Sequence, residues 1–162
     1  MTLAVRVVFV DFDGVLNAEA ATDEPIGAEL WSADWLDADM VARLSDLVAR
    51  AEASVVISSS WRGRRSSGEL AAMLASRGYR GDVVGVTPRL PRPPEGERFV
   101  RMAEVEAWLA AHPEVVSFVI LDDEHDFGAL SANHVRTDPR VGLTDADTAM
   151  ALAILRGPLH AP

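Results

Sequence analysis

A chain of 162 residues, 49% hydrophobic and 25% charged, has the make-up of one globular domain with a sizeable core, taken as residues 1–162. It holds no cysteine, which excludes disulfides, thiolate metal sites and a cysteine nucleophile, and no apolar run is long enough for a membrane-spanning helix. The formal net charge of −10 sets the molecule as a whole against nucleic acid and anionic membranes. All fifteen basic residues are nevertheless arginine, and nine of them crowd between Arg62 and Arg101 against four acids. That crowd reads either as a solvated face or as a surface turned toward phosphate.

In chain order, "AVRVVFV" (4–10) is a β-branched run stopped by Asp and Gly, the pattern of a buried parallel strand. Arg6 interrupts its apolar character and no small-residue cleavage site follows, so it reads as a strand and not a signal peptide, with a cytoplasmic location as the default expectation. "DFDG" ends it. On an extended segment Asp11 and Asp13 point the same way, and their repulsion and desolvation call for a positive charge between them. Residues 38–52 space Met40, Val41, Leu44, Leu47, Val48 and Ala51 as a helix capped by Asp37. "SVVISSS" (54–60) predicts a strand, "SGELAAMLASRGY" (67–79) a helix with Gly78 past its end, and "DVVGVTP" (82–88) a third strand. After the proline-rich loop 89–97, residues 99–113 predict a helix ended before Pro113. "VVSFVILDD" (115–123) is the strongest strand, "NHVRTD" (133–138) a short last one, and a helix capped by Thr144 and stopped at Gly157 closes the chain.

Strands alternating with helices predict an α/β fold: a three-layer α/β/α, Rossmann-like arrangement with a mainly parallel sheet and right-handed crossovers. Function in such sheets gathers at the carboxyl ends of the strands. Three strands end there in "DFD", "SSS" and "LDD". Asp11, Asp13, Asp122 and Asp123 would then share a pocket carrying about four negative charges, which a hard divalent cation resolves. Oxygen-only ligands favour Mg²⁺ over zinc, and Mg²⁺ keeps open positions for phosphate oxygens. Metal-assisted phosphoryl chemistry is the natural reading.

The set "VFVDFDGVL", "VVISSSW" and "FVILDDEHDF", with an arginine-bearing helix before the last of these, resembles the haloacid dehalogenase (HAD) superfamily of phosphohydrolases. It is most similar to the small HAD domains of Swiss Army Knife RNA repair proteins, over about Val5 to Leu155. The resemblance implies Asp11 as the nucleophile that forms an aspartyl-phosphate, and Asp13 as general acid and then base. It implies Ser59 as the hydroxyl on the phosphoryl oxygen, with Ser58 as the alternative, and Arg101 as the neutralising cation, with Arg98 as its rival. Mg²⁺ would sit on Asp11, Asp123, Asp122 and the main-chain carbonyl of Asp13, with Asp126 behind them.

The intervals 14–53 and 61–98 leave little room for a cap, so the expected site is open and suited to phosphate on a macromolecule. The expected partner is a phosphorylated substrate, with nucleic-acid ends leading, and no membrane. A small-metabolite phosphatase and a non-catalytic metal-binding module are the alternatives. Trp31 and Trp35 read as a hydrophobic anchor, or else as a lid that stacks on a base. Trp108 reads as core and His125 as a loop histidine, with a place in the pocket as its other reading.

Overall fold

The computed structural model describes residues 5–18, 31–91 and 100–158. Strand β1 (Val5–Val10) is β-branched at four of its six positions and fully buried from Val7 onward. Such a strand needs neighbours on both edges and cover on both faces. It has them: β2 (Ser54–Ile57) lies along one edge and β4 (Val115–Asp122) along the other, both parallel. With β3 (Val83–Val86) and β5 (His134–Arg136) outermost, the five-stranded parallel sheet runs β3-β2-β1-β4-β5.

Alternate residues of β1 feed two cores, as a pleated strand requires. Val8 and Val10 face a cluster built with α1 (Ala38–Ala51), α2 (Ser67–Ser76) and α4 (Asp145–Arg156). Val7 and Phe9 face a smaller one built with α3 (Val100–Ala110), where the Phe9 ring meets Trp108 edge-on at 5.4 Å. The result is the three-layer α/β/α arrangement expected. Trp31 and Trp35 pack against the larger core, which is the anchoring role, and Arg64 lies over the Trp31 ring at 3.9 Å. The described parts of both candidate cap intervals are occupied by elements of the sheet and its helix layers. Residues 19–30 and 92–99 lie outside the described residues, as do Arg98 and His160.

Predicted and observed elements agree in order and type, with shorter ends. Asp37 caps α1 through Asp39 and Met40, and Thr144 caps α4 with a reciprocal bond to Asp147. The strand predicted over 54–60 stops at Ile57. Beyond it Ser59 accepts a hydrogen bond from the Trp61 amide and opens a 3₁₀ turn, Ser60–Gly63. A hydroxyl that satisfies a nearby amide competes with the strand ladder for it, and here the turn wins. Among the described residues no helix is long and apolar enough to cross a membrane.

The last strand is tied back to the first across the sheet's carboxyl edge. Thr137, fully buried after β5, donates its hydroxyl to the Gly14 carbonyl at 2.7 Å. Thr137→Val keeps the shape and leaves that carbonyl unpaired, so urea unfolding should show a loss of about 1–2 kcal/mol.

Candidate active site

Parallel pairing continues one residue past the strands, with Asp11 N donating to Leu121 O at 3.0 Å and Ser58 N to Val10 O at 2.9 Å. This brings Asp11, Ser58 and Asp122 side by side at the carboxyl edge of β1, β2 and β4. One carboxylate oxygen each from Asp11, Asp122 and Asp123 lies within 4.8 Å of the others, with Asp11 and Asp122 buried. From α3, Arg101 reaches over them, its Nη1 3.5 Å from Asp11 Oδ1 and its Nε 3.6 Å from Asp122 Oδ2. Arg101 also donates to the Ser58 carbonyl. The cation that the acids call for is, in the protein alone, a guanidinium.

The electrostatics follow from burial. Desolvation pushes the Asp11 carboxyl up to about 6, with Arg101 and the Phe12 amide pulling the other way. Asp122 is raised well above the usual carboxylate range, first by burial and then by Asp11. Asp123 is raised by burial as well. Burial works against the charge of Arg101, but Asp11, Asp122 and Glu104 outweigh it and the net shift is upward. Asp122 Oδ1 accepts from the Glu124 amide at 3.0 Å, while its Oδ2 is buried with no hydrogen-bond donor.

Asp11 and Asp13 differ in burial, the first closed off and the second exposed, although the charge of Asp13 still acts to raise the carboxyls of Asp11 and Asp123. The chain leaves the strand at Asp11 and turns, with Leu16 N donating to Phe12 O at 2.8 Å and Gly14 at φ +75°. A Cβ on Gly14 would lie 2.6 Å from Asp123 Oδ2, so the close approach to the acids requires glycine as well. Asp13 is thereby turned out to solvent. Its Oδ2 accepts from Trp61 Nε1 at 2.9 Å and its Oδ1 from Asn17 Nδ2 at 3.0 Å, so its side chain stands outside the acid cluster.

The two serines differ in their contacts. Ser59 Oγ accepts the Trp61 amide as the cap of the 3₁₀ turn and keeps its own proton to donate, whereas the buried Ser58 hydroxyl has no partner. In register, Val10 pairs with Ile57, so Ser58 is the residue that stands beside Asp11. The Asp126 carboxylate, expected behind the acids, accepts from the Gly128 amide at 2.8 Å and lines the cleft beside Arg101. His125 is exposed, with its Nε2 3.2 Å from Arg136 Nη2.

Residues 7–148 match the family model for the HAD domain in Swiss Army Knife RNA repair proteins. The chain belongs to this HAD family. None of the curated proteins matches it. HAD domains are generally hydrolytic and of phosphatase type.

Beneath the acids this HAD domain carries a support that local pattern does not announce. Arg62 donates to the carbonyls of Ser58 and Ser59 at 2.9 and 2.7 Å and pairs with Glu104 of α3, both side chains being over nine-tenths buried. Glu104 Oε1 accepts from the Leu90 amide at 3.1 Å. One ion pair thus clamps the end of β2, the exit from β3 and the helix that carries Arg101. The sequence held only a hint of it, in the arginine next to Trp61 and the glutamate three residues after Arg101.

Two measurements test these assignments. Glu104→Ala leaves a buried guanidinium uncompensated, and chemical denaturation should report a loss of about 3–5 kcal/mol. A carboxyl raised in the folded state contributes stability below its unfolded pKa and loses it as pH rises through the folded one. In metal-free buffer Asp11→Asn should therefore match the parent near pH 4. Its advantage should grow to about 1–3 kcal/mol as pH passes about 6, the value to which Asp11 is raised.

Proposed function

We propose that this chain is a Mg²⁺-dependent phosphoric monoester hydrolase that works through an aspartyl-phosphate on Asp11, with polynucleotide or nucleotide phosphates as its leading substrates. The observation that carries the reading is the buried Asp11 carboxylate at the end of the central strand, 3.5 Å from the Arg101 guanidinium and grouped with Asp122 and Asp123. An acid pair on a solvated turn would need none of this arrangement.

The donor set fits a hard cation: three carboxylates with no nitrogen or sulfur ligand, and a buried Asp122 oxygen that lacks a donor. Asp11 and Asp123, with Asp122 beside them and the Asp13 carbonyl as a fourth oxygen, would hold Mg²⁺. Once bound, the ion would neutralise the acids and let an anionic phosphate approach a carboxylate nucleophile.

The remaining chemistry belongs to the chain. An Asp11 oxygen attacks phosphorus as the bond from phosphorus to the leaving oxygen breaks, and Asp13 delivers the proton that the leaving oxygen takes. Water then attacks the acyl phosphate, Asp13 accepts its proton, and the phosphorus–Asp11 oxygen bond breaks to free phosphate. Asp13 starts from a held position, and its exposed contact with Asn17 is the one that must open for proton transfer. Arg101 meets the charge that develops on the equatorial oxygens. For the hydroxyl contact we assign Ser58, whose free, buried group stands beside Asp11, rather than the capping Ser59.

Hydrolysis of an aryl phosphate should require Mg²⁺, stop with a chelator, and fall at least about a thousandfold in Asp11→Asn. Arg101→Ala should cost about a hundredfold in kcat. Ser58→Ala should slow turnover more than Ser59→Ala, whose main effect should be on melting temperature. Steady-state rates and thermal melts on the four variants test this, and unchanged turnover in Asp11→Asn would overturn the mechanism.

A further inference from the structure

The arginine crowd resolves into separate fates. Arg77 donates to the Leu36 carbonyl at 2.9 Å, Arg64 covers Trp31, and Arg65 stands 3.8 Å from Glu69. Arg62, Arg89 and Arg101 instead converge on one cleft of about 440 Å³ beside the candidate active site. Arg62 is neutralised by Glu104, and Arg101 by Asp11 and Asp122. Arg89 has no carboxylate partner among the described residues, although Arg62 feels its like charge as well as that of Arg101.

The Arg89 guanidinium lies against Gly63, where an added Cβ would stand 2.9 Å from Nη1 and 3.0 Å from Cζ. The cleft is also polarised across the sheet. Arg89 follows β3 on one flank, whereas Glu124 and Asp126, the acids of the opposite wall, follow β4 on the other. An exposed guanidinium that lies against Gly63, has no carboxylate partner among the described residues, and shares its cleft with the Arg101 that reaches over Asp11 is a fork for a second anion.

We propose that Arg89, seated on Gly63, binds a second phosphate of the substrate, so that the preferred substrate carries another phosphate besides the one hydrolysed, as a nucleotide chain does near its end. This inference rests on the phosphatase reading above and adds a substrate requirement to it. Arg89 selects and positions; it takes no part in the bond changes at Asp11.

The experiment compares an aryl phosphate, a nucleoside 3′,5′-bisphosphate and a sugar bisphosphate. Arg89→Gln should lower the preference for the nucleoside bisphosphate over the aryl phosphate, as a ratio of kcat/KM, by about tenfold and mainly through KM. Gly63→Ala should move the ratio the same way by a smaller factor, because the charge stays while the guanidinium has to shift off the Gly63 backbone. The same drop for the sugar bisphosphate supports a phosphate subsite blind to the nucleoside, and a drop confined to the nucleotide supports a nucleotide site. Equal losses on all three substrates, or an unchanged ratio, overturn the proposal. Calorimetry with the nucleoside bisphosphate and Asp11→Asn separates the two readings. Binding weakened about tenfold by adding Arg89→Gln, with no turnover in the parent, sustains the subsite and sinks the phosphatase. Turnover in the parent with binding indifferent to Arg89 does the reverse.

Discussion

Three carboxylates gathered at the buried end of a parallel sheet repel one another and lose their hydration, and the arrangement stands only if positive charge answers them. Arg101 supplies that charge from the helix on the smaller-core face, lying 3.5 Å from Asp11 and 3.6 Å from Asp122. Much else at this edge serves that encounter. The crossover from β3 to β4 must deliver α3 with its first turn over the strand ends, and Gly14 must let the chain after β1 pass within a Cβ's width of Asp123. Arg101 answers two of the acids from one side only. One oxygen of Asp122 remains without a donor, so the guanidinium is an incomplete counter-ion.

The Arg62–Glu104 pair explains how so short a helix holds its arginine in place. A buried ion pair adds little net stability, because desolvation offsets most of the Coulomb attraction. Its directional bonds do more. Arg62 binds both serine carbonyls after β2 while Glu104, on the same helix as Arg101, binds the Leu90 amide after β3. The carbonyl of Ser58 receives both Arg62 and Arg101, so the two arginines share an anchor on the strand end. Moving α3 would break several charged hydrogen bonds at once, which is how a polar network fixes geometry that hydrophobic contacts alone leave loose.

The fold and the acids were legible because they depend on local pattern. β-branched runs closed by polar residues marked β1, β2 and β4, and caps such as Asp37 and Thr144 set the helix starts. Strand order then placed Asp11 and Asp122 together by the general rule for parallel sheets. What escaped was whatever depends on the path of the chain within a turn or on partners far apart. Ser58 and Ser59 are alike until the register shows that the strand ends at Ile57. The partners of Asp13 could not be read either, because only the turn at Gly14 brings it to Trp61 and Asn17. Arg62 and Glu104 are separated by 42 residues and Thr137 and Gly14 by 123, with no spacing rule to join them.

A net charge of −10 and the proposed phosphate substrate stop being at odds once distance is considered. Acids such as Asp39, Asp46 and Asp145 sit exposed on α1 and α4, some of them already paired with Arg43 or Arg50. At physiological ionic strength their field fades over about 8 Å. An approaching phosphate therefore feels the groups lining the cleft rather than the sum over the surface. There Arg89 has no carboxylate partner among the described residues, and Arg101 leans over Asp11 with a fifth of its side chain still open to solvent. On the opposite flank, Glu124 and Asp126 form an acidic wall that suits a cation better than an anion. The acids that do gather at this edge, Asp11, Asp122 and Asp123, are the ones a bound cation would neutralise.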